Sequence, residues 1–312
     1  MPAPDAGLAV TDHPSPAGTS AATAPADPGA TPPAPADPTA VPSSRGGGTR
    51  GRRHSPLWRI RDGIDLPWRI GLSVAGVAGV LVAWAVTAAG SSPSVLPGPL
   101  DTVSAFGKLW DDGVLTTDLW ASGRRILIGY GISVLVGVVL GLAIGTFAAV
   151  ESFFEAQVAF LRYIPASAMT PVFLLWFGIG ESPKIWLIVV GTVFFNVLMV
   201  ADVARAVPRE LLNASYTLGA GRLLVMRRVI FRHALPGMID VARINLAAAW
   251  LMLVVAELLA AQEGLAYQII RAQRFRAVDS MFALLIVFGV IGLLSDLFLR
   301  WLRNRTSPWA VS

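Results

Sequence analysis

The sequence predicts an all-α integral membrane protein with six transmembrane helices behind a disordered N-terminal tail. Charge poverty is the first observation. Only 14% of the 312 residues are charged, against 54% hydrophobic, whereas soluble domains carry about 25% charged residues. That is too little charge to cover a globular surface. The second observation is a series of six long apolar stretches after Arg69, each close to the roughly 20 residues a helix needs to cross a hydrocarbon core.

Residues 1–44 hold 11 of the 22 prolines, four Asp and no Lys or Arg. Such a stretch cannot bury enough apolar surface to offset the entropy of ordering, so it reads as disordered. It also lacks the basic start and apolar core of a secretory signal. From Arg45 to Arg61 the character flips to six Arg and no acid. This run is either a solvated linker or a patch on anionic membrane lipid, where each base contributes about 1 kcal/mol. Nothing beside it offers base reading or stacking, which argues against nucleic acid as a partner. Residues 1–60 are therefore assigned to the tail and basic linker, and 61–312 to the membrane domain.

The spans fall at about 70–90, 126–150, 156–180, 185–201, 244–262 and 280–299. The first, second and fourth are free of charge. Between the first two, Asp101–Trp110 reads as a surface helix with Val103, Phe106, Leu109 and Trp110 on its apolar side. Gly137, Gly141 and Gly145 place a small residue at every fourth position of the second span, a spacing that lets helices approach closely. Pro165 and Pro171 should bend the third span, since each removes a backbone hydrogen bond. With both termini inside, the inner segments carry 18 Lys or Arg and the outer ones 7. The excess of inside bases predicts a multi-pass protein of the cell (plasma or inner) membrane with both termini cytoplasmic.

One inner segment, 202–243, is long. Pro208 is placed to start a short helix and Gly219 and Gly221 to stop it. Leu211, Leu212, Ala214, Ser215 and Leu218 give that helix a small apolar face, and a basic stretch with Arg222, Arg227, Arg228 and Arg232 follows. Such a face either enters a partner's groove or packs on its own chain.

Polar residues inside the spans are the other candidates. Glu257 lies seven residues after Trp250, on nearly the same helix face. A buried carboxylate points to function by default; here a proton relay, a pathway lining and a structural anchor all remain open, with Arg162 or Arg243 as its expected partner. Ser167, Thr170 and Asn196 line a translocation path or bond back to their own helices. In the outer segment 263–279, Arg271, Arg274 and Arg276 form either a solvated loop or a docking surface for an acidic protein.

Several chemistries are excluded. Zero cysteines removes thiol catalysis and Cys-ligated metals. His13 and His54 fall in the tail and linker, leaving only His233 near folded structure, so no metal site is expected. The two lysines, Lys108 and Lys184, are followed by Leu109 and Ile185, so neither completes the Gly-x4-Gly-Lys-Ser/Thr loop that cradles phosphates. An intramembrane hydrolase lacks its residues. An ion-coupled secondary transporter would have only Glu257 as a deep acid, and no internal repeat supports it.

The loop resembles the cytoplasmic signature of permease subunits in binding-protein-dependent ABC importers: Glu-Ala-Ala, three residues, Gly, nine residues, Ile-x-Leu-Pro. Ala214 and Gly219 match it, Val229 takes the Ile position, Asn213 replaces Glu, Ser215 replaces the second Ala, and Phe231-Arg232 replaces Leu-Pro. Leu235-Pro236 is similar to a second Ala-Leu-Pro of the sulfonate, taurine and nitrate branch. From about Leu66 to Trp309, Leu96-Pro97-Gly98-Pro99, Arg162-Tyr-Ile-Pro165, Leu175-Trp176-Phe177-Gly178-Ile179-Gly180-Glu181, Thr217-Leu218-Gly219-Ala220, Ala249-Trp250 and Ala256-Glu257 extend the resemblance in order. It implies a type I ABC importer permease that pairs with a second permease copy, sits on ATPase subunits and receives solute from an extracytoplasmic solute-binding protein. It implies no cofactor in this chain and no catalysis by it, with ATP and Mg bound by the partner ATPase. The loop's ATPase-coupling residues would be Arg209, Glu210, Asn213, Ala214, Ser215, Gly219, Ala220 and Arg222. The solute would be an oxyanion such as a sulfonate, taurine or nitrate, or a vitamin precursor.

Overall fold

The computed structural model describes residues 65–310; the tail and linker assigned to residues 1–60 lie outside them. All regular structure among the described residues is helical. Helix α1 (Leu66–Ala89) starts at the proline Pro67, whose missing N–H costs nothing in a first turn. A short α2 (Pro99–Asp111) follows, capped by Asp101, whose carboxylate accepts the Gly98 N–H at 3.1 Å. Next come α3 (Val114–Thr146), α4 (Ala148–Leu161), α5 (Thr170–Phe177) and α6 (Glu181–Arg205). Helix α7 (Arg209–Thr217) leads to α8 (Arg222–Val225), which runs through a π-helical turn, Met226–Ile230, into α9 (Phe231–Ala260). Helices α10 (Leu265–Arg274) and α11 (Val278–Thr306) and a 3-10 turn, Pro308–Ala310, complete the chain.

Among the described residues five helical rods are long and apolar enough to cross a membrane, and a bent pair makes six where its two arms are counted as one broken span. The expected third span of 156–180 is not a single kinked rod. Its first part belongs to α4, and an 81° bend separates α4 from the segment Ala166–Phe177. Pro165 sits in that break. Pro171 does not bend a helix; it lies in the first turn of α5, where its lost donor is harmless. The second span begins at Val114 rather than 126 because Arg124 and Arg125 are carried within α3. It ends at Thr146, since Phe147 is extended. Likewise much of 202–243 is helical: α6 runs to Arg205 and the rod that ends in α9 starts at Arg222.

The centre of the bundle is the α3–α6 pair. A Cβ on Gly137 would lie 2.6 Å from Asn196 Cβ, one on Gly141 2.6 Å from the Val197 carbonyl, and one on Gly145 2.5 Å from the Ala201 carbonyl. These helices touch backbone to backbone along the whole glycine stripe, as small residues permit in membranes. Helix α9 closes the other side of α6 with Leu246, Ala249 and Leu253 packed against Ile126, Tyr130 and Ile188. Helix α1 buries no residue. It meets the rest through Trp84, which donates to the Pro97 carbonyl at 3.0 Å and stacks on Phe282. On α2 the packed side chains are Thr102 and Ala105, while Val103, Phe106 and Trp110 are exposed, as suits a helix whose apolar side meets lipid.

Candidate functional site

The bundle has two chemically distinct ends. At the first, α7 stands between α6 and the rod that becomes α9. Pro208 caps it with extended backbone, and Gly219 ends it at φ +78°, a left-handed conformation that glycine adopts without penalty. None of its residues is buried. Arg209, Glu210, Asn213 and Ala214 are exposed, Ser215 and Ala220 half-buried, and Gly219 and Arg222 exposed. Ser215 spends its hydroxyl on the Leu211 carbonyl at 2.7 Å. Leu212 and Ala220 pack onto the core formed by Val207, Val225 and Ile230, so α7 rests on the bundle by one edge.

Its other edge forms a wall. Leu211, Ala214, Ser215 and Leu218 line a groove of about 460 Å³ with Arg228, Val229, Arg232, His233 and Trp309. Arg205 at this end is held by Glu151 at 2.9 Å, Glu155 at 3.0 Å and Asp202 at 3.0 Å. Among the described residues, no carboxylate lies within ion-pair distance of Arg209, Arg222, Arg227, Arg228 or Arg232. A small exposed helix is thus edged by guanidinium groups that have no carboxylate partner among the described residues, a surface chemically able to receive carboxylate or phosphate groups.

The opposite end carries a buried charge cluster. Arg125 is fully buried. Its Nε and Nη2 donate to the two oxygens of Glu181 at 2.7 and 2.8 Å, and Nη1 donates to Glu257 Oε1 and to the Glu263 carbonyl, both at 2.8 Å. Glu257 also accepts from Ser122 Oγ at 2.6 Å and from the Ala266 N–H at 2.9 Å. Asp118 accepts the Gly264 N–H at 2.6 Å, and Lys184 donates to Glu181 at 2.7 Å. The Arg125–Glu257 pair is thus hydrogen-bonded on both sides, as a buried ion pair requires, while Asp118 is held by a backbone N–H.

Glu257 is thus an anchor tying α9 to α3 and to the first turn of α10, and through Arg125 to α6. Neither expected partner reaches it. Arg162 lies at the α4–α5 break over the Tyr163 ring, 4.9 Å from its centroid, and Arg243 pairs with Asp296 at 3.4 Å. Nor is Glu257 mid-span: it lies in the last turn of α9, three residues before Ala260. The partner is Arg125, which in the sequence abuts the uncharged stretch beginning at Ile126 and reads as a loop base. The signal was there: a deep carboxylate needs a cation, and Arg125 borders a span.

The remaining polar candidates separate. Asn196 joins a buried ladder in which Thr192 Oγ1 and Asn196 Nδ2 donate to Ser133 Oγ at 2.7 and 2.9 Å, and Asn245 Nδ2 donates to Asn196 Oδ1 at 2.8 Å. The ladder links α3, α6 and α9; Ser133, Thr192 and Asn245 were not singled out in the sequence. Thr170 bonds back to the Ser167 carbonyl at 2.8 Å and Ser167 is exposed; neither meets Asn196 or Glu257. Trp250 lines an apolar cavity of about 730 Å³ between α9, α10 and α11, with its ring edge-on to Phe288 and its Nε1 lacking a partner. Arg271, Arg274 and Arg276 are exposed on and just after α10, close to the turn that the charge cluster holds.

The family model for the binding-protein-dependent transport system inner membrane component matches residues 133–308. The taurine transport system permease protein TauC of Escherichia coli is 33% identical over 258 residues, covering 78% of this chain and 94% of TauC. The putative aliphatic sulfonates transport permease protein SsuC of Bacillus subtilis is 34% identical over 218 residues, covering 70% of this chain and 79% of SsuC. Among solved structures, the inward-facing MetNI methionine ABC transporter superposes with a TM-score of 0.57 at 20% identity, covering 64% of this chain and 98% of that one. That likeness concerns the fold.

Proposed function

The chain belongs to the family of inner membrane components of binding-protein-dependent transport systems, and on that premise we propose that it imports a small oxyanion of the sulfonate class. It is a multi-pass permease subunit of an ABC importer, and hydrolysis of ATP belongs to a separate subunit. Two copies would face each other across the pathway, with both termini, α7 and the Trp309 end in the cytoplasm. The 18-to-7 distribution of bases supports that orientation. ATP and Mg would be held by the ATPase.

The observation that carries this reading is α7, a helix with no buried residue set between two long membrane helices. Arg209, Glu210, Asn213, Ala214, Ser215, Gly219, Ala220 and Arg222 would form the coupling contact with the ATPase. Nucleotide would act by binding unequally to inward- and outward-open states. At the other end Arg271, Arg274 and Arg276 would meet the binding protein. The sulfonate class rests on the names of TauC and SsuC. Glu257 takes no part in ion coupling in this reading, because its carboxylate is committed to Arg125, Ser122 and Ala266.

The test is purification of the tagged chain from membranes in mild detergent, with its companions identified by mass spectrometry. An ATPase should be retained by the native chain and lost from Ala214→Glu and Gly219→Glu. Uptake into proteoliposomes carrying the retained ATPase and its binding protein should then favour taurine or an alkanesulfonate over nitrate and bicarbonate. A folded, abundant chain that retains no ATPase overturns the coupling role of α7, and preference for another solute overturns the substrate class.

A further inference from the structure

We propose that the ATPase contact extends beyond α7 into the groove closed by the C-terminal Trp309. We infer that this groove receives an apolar side chain flanked by carboxylates on the ATPase subunit. The inference rests on the coupling role of α7 and adds to it a second wall, a terminal residue and a partner chemistry. Three structural features lead to it.

First, Trp309 is placed, not trailing. Helix α11 ends at Thr306; Ser307 is fully buried, with its N–H on the Arg303 carbonyl at 2.9 Å. Arg303 is in turn paired with Asp240 of α9 at 3.2 Å. The Ser307 backbone bond and the Arg303–Asp240 ion pair hold the last turn of α11 beside the α9 rod, although Arg303 Nε makes no hydrogen bond there, and Trp309 of the following 3-10 turn lines the same groove as Leu211. Despite this, Trp309 remains 57% exposed. An indole held in position and left uncovered is the side chain type that anchors protein interfaces.

Second, the groove's charge has one sign. Arg228, Arg232 and His233 line it, and no acid does. Arg205, Arg243, Arg300 and Arg303 each lie within ion-pair distance of a carboxylate, while Arg228 and Arg232 have no carboxylate within reach among the described residues. The complement is an acidic group, and guanidinium favours planar, bidentate carboxylate contacts. Third, the groove floor is apolar, with Leu211, Val229 and the Trp309 ring around a volume of about 460 Å³. That space accepts one or two aliphatic or aromatic side chains. One of its walls is α7 itself, so an ATPase seated on α7 reaches it without a second docking event.

The experiment uses the native complex with its ATPase. Trp309 is replaced by the photocrosslinking aromatic p-benzoylphenylalanine, the complex is irradiated, and the adduct is mapped by mass spectrometry. The expected adduct lies on the ATPase, in a segment with an Asp or Glu within a few residues. In parallel, ATPase retention is compared for Trp309→Ala, Trp309→Phe and the pair Arg228→Glu/Arg232→Glu, each checked for a monodisperse, folded profile. Trp309→Ala and the charge reversal should weaken retention about tenfold or more, the loss expected for an interface anchor, while Trp309→Phe should restore most of it. Crosslinks to lipid, to a second copy of this chain, or to an ATPase segment without acids overturn the inference. So does full retention in the charge-reversed chain. If Ala214→Glu abolishes retention while these variants keep it, α7 alone makes the contact and only the extended groove is refuted. If the native chain retains no ATPase, both readings fall together.

Discussion

The Arg125 guanidinium lies 2.8 Å from the Glu257 carboxylate, across 132 positions of sequence. Both side chains are removed from solvent. The pair is therefore a long-range joint whose loss leaves a bare charge inside the protein. Removing one partner of a buried pair costs about 3–5 kcal/mol. Arg125→Leu, which strands the buried Glu257 and leaves Glu181 to Lys184 and Arg124, should reach that range. Glu257→Gln keeps one acceptor oxygen, enough for Ser122 and Arg125 or for the Ala266 N–H but not both, and should cost about 1–3 kcal/mol. Denaturant titration of the detergent-purified protein decides this; equal stability of Arg125→Leu and native chain would show that the joint is not stabilising.

The glycine stripe supplies a test with its own control. A Cβ at Gly141 would meet the Val197 carbonyl at 2.6 Å, whereas one at Gly123 on the same helix meets nothing within 4 Å. Gly141→Ala must push α3 from α6 and should destabilise by about 1–3 kcal/mol. Gly123→Ala should be neutral or stabilise by up to about 1 kcal/mol, since alanine is the better helix former. Thermal aggregation midpoints of the two variants should move in opposite directions, and a matched shift would contradict the close approach.

Gly264 is needed for two reasons at once. Its φ is +126°, and any Cβ there would run into the Glu257 carboxylate. Gly264→Ala should therefore cost about 1–3 kcal/mol from backbone strain and also displace Glu257. Gly219 has φ +78° with open space around it, so Gly219→Ala should cost only about 1 kcal/mol. Stability curves of the two variants, measured side by side, check the difference; a Gly219→Ala penalty as large as that at Gly264 would refute it.

The absence of cysteine makes topology directly measurable, because any introduced thiol is unique. In whole cells a membrane-impermeant maleimide should label Ser94→Cys and Phe275→Cys. Thr217→Cys should stay unlabelled until the membrane is permeabilised. The reverse pattern would invert the proposed orientation.

Much of this was legible along the chain. Pro208 and Gly219 bracket a helix because each acts through its own backbone, proline by a preset φ and glycine by access to the left-handed region. The Gly137, Gly141 and Gly145 register announces a close helix contact for the same local reason. The bend of the third span at Pro165 is legible too, but not its size, because proline marks a place where a helix is weakened, not whether it bends gently or breaks by 81°. The start of α3 was set twelve residues late because hydropathy counts Arg125 as an exposed charge.

What the sequence by itself determined is therefore the membrane class, the number of spans, the small helix between α6 and the α9 rod, and the glycine face. Each follows from periodicity, from the cost of charge in hydrocarbon, or from one residue's own backbone. Only the tertiary structure decided which charges neutralise one another. Arg125, Glu181 and Glu257 meet because α3, α6 and α9 pack together, and Trp309 lines one groove with Leu211 because the end of α11 lies beside the α9 rod. Helix periodicity records the face on which a side chain lies. It does not record what stands opposite, because electrostatic pairing depends on distance in space and these partners are far apart in sequence.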